Sequence, residues 1–182
     1  MKQYEKLQVR HNSFSKAIDL AIERNVKVIV ETGTAREPDN WHGDGLSTIL
    51  FGHFCKEFDS RVWTCDIEGG NIEICRKLTQ EYSDKITYVV GDSVAFLKNF
   101  EGKIDFLYLD SFDSKTKQMK QAQQHNLNEV MAVEDKLHNN TIILIDDYYP
   151  KRHGKGGMSV PYLQDKGWKL VTDESQALLI KG

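Results

Sequence analysis

Acidic residues recur at the ends of short apolar runs: Glu31 after 26–30, Asp66 after 61–65, Asp92 shortly after 86–90, Asp110 after 104–109, and the pair Asp146-Asp147 after 141–145. If the runs are strands of an open α/β sheet, ligands bind outside their carboxyl ends, and these carboxylates line one edge. One strand-end aspartate is commonly a turn former or a helix cap. Five strands in succession ending this way point instead to a shared site. Carboxylates there can accept hydrogen bonds from hydroxyl groups, or share a cation where they crowd together.

A second cue lies in the first strand-to-helix loop. Gly33, Gly43 and Gly45 permit close backbone approach, and the helix that follows turns its free N–H groups toward the crevice, where a carboxylate or phosphate can sit. The spacing is not GxGxxG, since nine residues separate Gly33 from Gly43. A flexible loop is the plainer alternative. Asp66, ending the second run, is placed to accept from a ribose diol, so a ligand containing a nucleoside fits better than a bare phosphate.

The elements that must position these groups follow from hydrophobic period and punctuation. Runs at 26–30, 61–66, 86–90, 104–109 and 141–145 predict five strands, with helices beginning near 46 and 71, around 94–97, and from about 116 to 137. Asn71 is the expected cap of the second of these helices, and Asn139-Asn140 the break after the last. A short helix through 160–163 closes at Gly167. The runs 168–171 and 177–180, separated by a short polar stretch, predict a terminal hairpin. Strands alternating with helices predict a mostly parallel sheet covered on both faces.

At 182 residues the chain fits one domain, 1–182, with 40% hydrophobic and 28% charged residues. A net charge of −3 gives no general attraction to nucleic acid, which makes a phosphate-backbone binder an unlikely class. The three cysteines, Cys55, Cys65 and Cys75, form no CxxC pair and read as reduced, half-buried side chains. No apolar run approaches a membrane span. The first residues are polar and lack a signal peptide's apolar stretch, so a cytoplasmic protein is expected.

The segments Glu31-Thr32-Gly33-Thr34, Gly43-Asp44-Gly45-Leu46-Ser47-Thr48, Cys65-Asp66-Ile67-Glu68, Gly91-Asp92-Ser93 and Ile145-Asp146-Asp147-Tyr148 together resemble class I S-adenosylmethionine-dependent methyltransferases, nearest to small bacterial and phage-like O-methyltransferases. The resemblance covers nearly the whole chain. It implies a three-layer, Rossmann-like fold whose seven-stranded, mostly parallel sheet has the order 3-2-1-4-5-7-6 and ends in an antiparallel hairpin. It also implies a cofactor site. Glu31 and Gly33 would flank the amino-acid end of S-adenosylmethionine, and Thr34, Gly45 and Ser47 are also expected cofactor residues. Asp66 would hold the ribose hydroxyls, with Glu68 an alternative, Asp92 and Ser93 would lie by the adenine, and Ile67 and Asp110 are further expected cofactor residues. The loop carries an expansion, residues 36–42, in which Trp41 could stack on a ligand or clamp the surface.

Catechol-type members of that group hold Mg²⁺ between the fourth and fifth strand ends. The matching residues are Asp110, Asp146 and Asp147, oxygen ligands that suit Mg²⁺ or Mn²⁺ rather than zinc. Acidic pocket walls without a metal are the alternative. A metal-bound hydroxyl would be the better nucleophile, and the transfer itself needs mainly in-line positioning. Asp110, Asp146 and His153 are therefore the candidate catalytic residues. His125 falls inside the long helix, where a satisfied or solvent-facing side chain is expected. Lys115 is displaced from the position of the group's lysine base. Lys151, Arg152 and Lys155 either draw an anionic acceptor or form a solvated loop.

These features predict methyl transfer to an oxygen of a small molecule or sugar. A homodimer could complete a pocket with little lid structure. Two other functions stay open: another nucleotide-dependent α/β enzyme such as a short dehydrogenase, or a domain that binds the cofactor without catalysis. Binding of S-adenosylhomocysteine but not NAD separates the first, and cofactor turnover the second.

Overall fold

A computed structural model describes residues 4–43, 46–113, 118–150 and 154–181. Its strands are β1 (Val28–Thr32), β2 (Arg61–Asp66), β3 (Ile86–Val90), β4 (Ile104–Leu109), β5 (Leu137–Ile145), β6 (Trp168–Asp173) and β7 (Ala177–Lys181). They form one sheet in the order β3-β2-β1-β4-β5-β7-β6. The β3-to-β5 portion is parallel, and β7 runs antiparallel to both β5 and β6. The expected order and the closing hairpin are both present.

The helices are α1 (His11–Glu23), α2 (Ser47–Glu57), α3 (Gly69–Leu78), α4 (Ser93–Asn99), α5 (Met119–Val133) and α6 (Ser159–Asp165). Side-chain alternation on the central strands divides the core into two layers. Phe106 and Tyr108 of β4, with Ile142 and Leu144 of β5, pack among Phe14 of α1 and Phe51 of α2. Leu107 and Leu109, with Ile143 and Ile145, pack on the other side against Val130 and Val133 of α5 and Leu163 of α6. Strands buried on both faces therefore read as unbroken apolar runs. Among the described residues no helix is long and apolar enough to cross a membrane.

Several boundaries depart from expectation. Residues 11–23 form a helix that the sequence does not predict, and its apolar stripe, Phe14, Ala17, Ile18 and Ala21, is entirely buried. Asn71 does not cap α3, which begins two residues earlier, at Gly69. The Asp66 carboxylate serves that end instead, accepting from the Glu68 N–H at 2.8 Å and from the Asn71 side chain at 3.1 Å. The long helix stops at Val133, and Leu137 already belongs to β5. Asn139 and Asn140 lie within that strand, where pairing jumps from Ile104–Leu137 to Phe106–Ile142. They mark a bulge rather than a helix break.

Candidate active site

Strand order reverses direction between β1 and β4, and the loops leaving these two strands part to open a crevice. At the floor of the crevice Gly33 lets the two chain segments come into close contact. Its φ of +81° is left-handed, and an added Cβ would lie 2.6 Å from the Asp110 carbonyl oxygen. The crevice holds a cavity of 270 Å³ lined by Gly33, Thr34, Asp66, Ile67, Asp92, Ser93 and Asp110, together with Arg36, Asn71, Phe112, Asp113 and His125.

The expected cofactor residues therefore separate into three sets. Gly33, Thr34, Asp66, Ile67, Asp92, Ser93 and Asp110 converge on the cavity. Glu31 and Ser47 lie behind it, both buried. The Glu31 carboxylate accepts from Ser47 Oγ at 2.5 Å and from Thr48 Oγ1 at 2.7 Å, which clamps the end of β1 to the start of α2. Gly45 lies outside the described residues, as do His153, Lys115, Lys151 and Arg152.

Local structure explains how the lining residues are aimed. Asp92 caps α4, accepting from the Ala95 N–H at 2.8 Å, so its role as a helix cap and its place in the cavity wall coexist. Asp66 spends Oδ1 on the α3 terminus, and Oδ2 has no protein partner among the described residues. Ser93 Oγ lies 2.9 Å from His125 Nε2, and the His125 ring sits over Phe112 with centroids 5.5 Å apart. His125 thus belongs to the cavity rather than to solvent. Behind it, Glu129 is fully buried and accepts from Ser111 Oγ at 2.6 Å. Arg36 and Asp113, 2.8 Å apart, join the β1 and β4 loops across the rim. Trp41 is half-buried against the core and carries the Lys6 ammonium 5.3 Å from its ring, so it clamps the surface.

Beyond Asp110 the acids of the fifth strand end draw together. Asp110, Asp146 and Asp147 each offer a carboxylate oxygen within 4.8 Å of the others. Strand geometry alone would point consecutive residues to opposite faces. Asp147, with a φ of 50°, has already left the strand, which lets both converge. Two cations from distant parts of the chain meet them there. Arg10 donates from Nε to both oxygens of Asp146, at 2.9 and 3.0 Å, and from Nη2 at 2.9 Å. Lys155 Nζ lies 2.6 Å from Asp110 Oδ1 and 3.4 Å from Asp147 Oδ2. Gln176 Nε2 donates to Asp146 at 2.9 Å.

Burial alone would raise the Asp146 carboxyl, but Arg10, helped by Lys155 and Gln176, holds it below the ordinary aspartate value. Burial opposes the charge on Lys155, yet Asp110, Asp147 and Asp146 together hold it above the ordinary lysine value. Both basic groups stay charged at neutral pH. With the Asp146 oxygens taken by a guanidinium and Asp110 by an ammonium, this donor set does not fit a resident divalent ion. Lys155, expected in a solvated loop, is almost fully buried because its charge is needed inside. Arg10 gave no sequence signal. Its partner lies 136 positions away, and only three-dimensional placement reveals the pair.

The sheet has the Rossmann-like order that the resemblance to class I S-adenosylmethionine-dependent methyltransferases implies, with a cavity lined by Gly33, Asp66 and Asp92 at its switch point. The family model described as a methyltransferase domain matches residues 42–148, and the chain belongs to that family. No curated protein sequence matches it.

Among solved structures, the SAH-bound methyltransferase PaMTH1 of Podospora anserina superposes with a TM-score of 0.68 at 18% identity, covering 100% of this chain and 86% of the other. An O-methyltransferase of Bacillus cereus in complex with SAH gives 0.65 at 16% identity, covering 100% and 91%. A methyltransferase of Geobacter sulfurreducens gives 0.64 at 15%, covering 91% and 76%. At these identities the likeness is one of fold.

Proposed function

We propose that the protein transfers the methyl group of S-adenosylmethionine to an oxygen of a small-molecule acceptor. The observation that carries this is the convergence of Gly33, Asp66, Asp92 and Asp110 on one cavity of 270 Å³, with Asp110 shared between it and the Asp110–Asp146–Asp147 cluster. Asp66 Oδ2 receives the ribose hydroxyls. Ile67 and Phe112, apolar side chains 67% and 39% exposed at the rim, cover the adenine from two loops. Asp92 and Ser93 meet its edge. Gly33, Thr34 and the backbone near Gly45 hold the amino-acid end, supported by the Glu31–Ser47 clamp behind them. An oxygen acceptor is in keeping with the O-methyltransferase of similar fold from Bacillus cereus.

The transfer forms one oxygen–carbon bond as the sulfur–carbon bond breaks, and the hydroxyl proton leaves the acceptor. Asp110 borders both the cofactor cavity and the acidic cluster, and orients the acceptor hydroxyl. Asp146 keeps Arg10 in place, and His153 takes the proton. Pairing with a second copy of the chain would complete the acceptor side, which light scattering checks.

Calorimetry with SAH and with NAD tests the cofactor, and SAH release from S-adenosylmethionine across a panel of phenols, catechols and sugars tests the reaction. SAH binding lost in Asp66→Ala, with turnover on at least one hydroxylated acceptor, is expected. Binding of NAD in preference to SAH would point to a different nucleotide enzyme. SAH binding with no turnover on any acceptor would leave a cofactor-binding domain without catalysis.

A further inference from the structure

We propose that Arg10 and Lys155 are the permanent counter-ions of the Asp110–Asp146–Asp147 cluster, standing where a divalent ion would otherwise join the three acids, and that the protein works without one. Taken together the two cations reach every member. Arg10 chelates Asp146 and brings Nη2 to 3.9 Å from Asp147, while Lys155 touches Asp110 and Asp147. A divalent ion bound to the same oxygens at about 2.0–2.6 Å would fall against both side chains. It would also repel both charges, each carried by a buried side chain.

The chain is built to deliver these charges. After β5 the backbone turns back on itself through left-handed Asp147 and Tyr149. Gly154 donates to the Tyr148 carbonyl at 2.9 Å and Lys155 to the Asp147 carbonyl at 2.8 Å. The fold-back is so close that a Cβ on residue 154 would lie 1.9 Å from the Asp147 carbonyl oxygen. Gln123 of α5 fastens the same turn, donating to the Gly154 carbonyl at 3.1 Å. Lys155 ends 2% exposed over the acids. Arg10 is held just as firmly, donating also to the His42 carbonyl at 2.9 Å, next to Ser13, whose Oγ meets Gln176 Oε1 at 2.6 Å.

This inference rests on the methyl-transfer reading for what the cluster serves, but its test reads metal binding directly. Purified full-length protein, saturated with SAH, is titrated with Mn²⁺ and followed by electron paramagnetic resonance, with Mg²⁺ thermal shifts alongside. The wild type is expected to bind no ion at the cluster and to show no Mg²⁺ shift. Lys155→Ala is expected to gain one Mn²⁺ per chain, and adding Asp110→Asn to remove it again. Lys155→Arg, which keeps the charge, is expected to gain none.

One Mn²⁺ per wild-type chain, lost in Asp110→Asn, overturns the proposal. So does a folded Lys155→Ala variant that binds no ion. Should that variant fail to fold, the wild-type titration alone decides. Once an acceptor is found, turnover that survives chelation is expected, and turnover abolished by chelation and restored by Mg²⁺ overturns the proposal. If no acceptor is found, the methyl-transfer reading fails while the metal result stands.

Discussion

At the scale of single residues, the centre depends on charges whose partners are far off in the chain. Removing the Arg10 guanidinium leaves Asp146 buried beside two other carboxylates. Arg10→Ala is expected to destabilise the fold by about 3–5 kcal/mol, the usual result of stranding one half of a buried pair. A denaturant midpoint falling without a change in slope would show it, and an unchanged midpoint would mean that Gln176 and Lys155 suffice. The acids at the strand ends were legible in the sequence because a residue type recurred at a fixed structural position. Arg10 and Lys155 were not. A lone arginine near the start of a chain and a lysine among glycines carry the local signature of solvated residues, and only their distant partners change that meaning. His125, expected to be satisfied or solvent-facing, is satisfied by Ser93, since α5 turns part of a polar stripe, with Asn126 and Glu129, toward the interior.

At the scale of elements, β2, β3 and β4 were legible residue for residue, because their runs are bounded sharply by turn-forming residues. The helix α1 escaped because its small alanines and spaced apolar residues make a modest stripe in a polar segment. The bulge in β5 escaped because asparagines usually stop elements rather than sit inside them. The junction of β1 with the cavity is an exacting element contact. Gly33→Ala places a side chain in a left-handed conformation and against the backbone of the β4 loop. SAH affinity is expected to fall at least tenfold while far-ultraviolet circular dichroism keeps its shape. Wild-type affinity in this variant would show that the two loops can part further than their contact implies.

At the scale of the whole molecule, fold and family were legible while the neutralisation of the acidic cluster was not, since topology is written in periodicity and charge pairing is written in space. Burial also sets a pH response for the molecule. It pushes the thiols of Cys55 and Cys65 up to about 12 and that of Cys75 to about 11. In the unfolded chain they titrate near about 8.5. Raised values mean that this stabilisation is complete below about pH 8.5 and is lost as pH climbs through the folded values. Urea midpoints are expected to decline above about pH 8.5, and a triple variant with Cys55→Ala, Cys65→Ala and Cys75→Ala to decline less steeply. Equal slopes would assign the loss to other groups. The reach of Arg10 has a last consequence, for how the molecule is made. During synthesis Asp146 follows Arg10 by 136 positions, and Gln176 comes later still. Strands β1 to β4 can pair before then, but the contacts of Asp146 can close only after Gln176 has been made. A nascent chain stalled short of Gln176 would hold a partly formed cofactor cavity beside acids not yet fully secured.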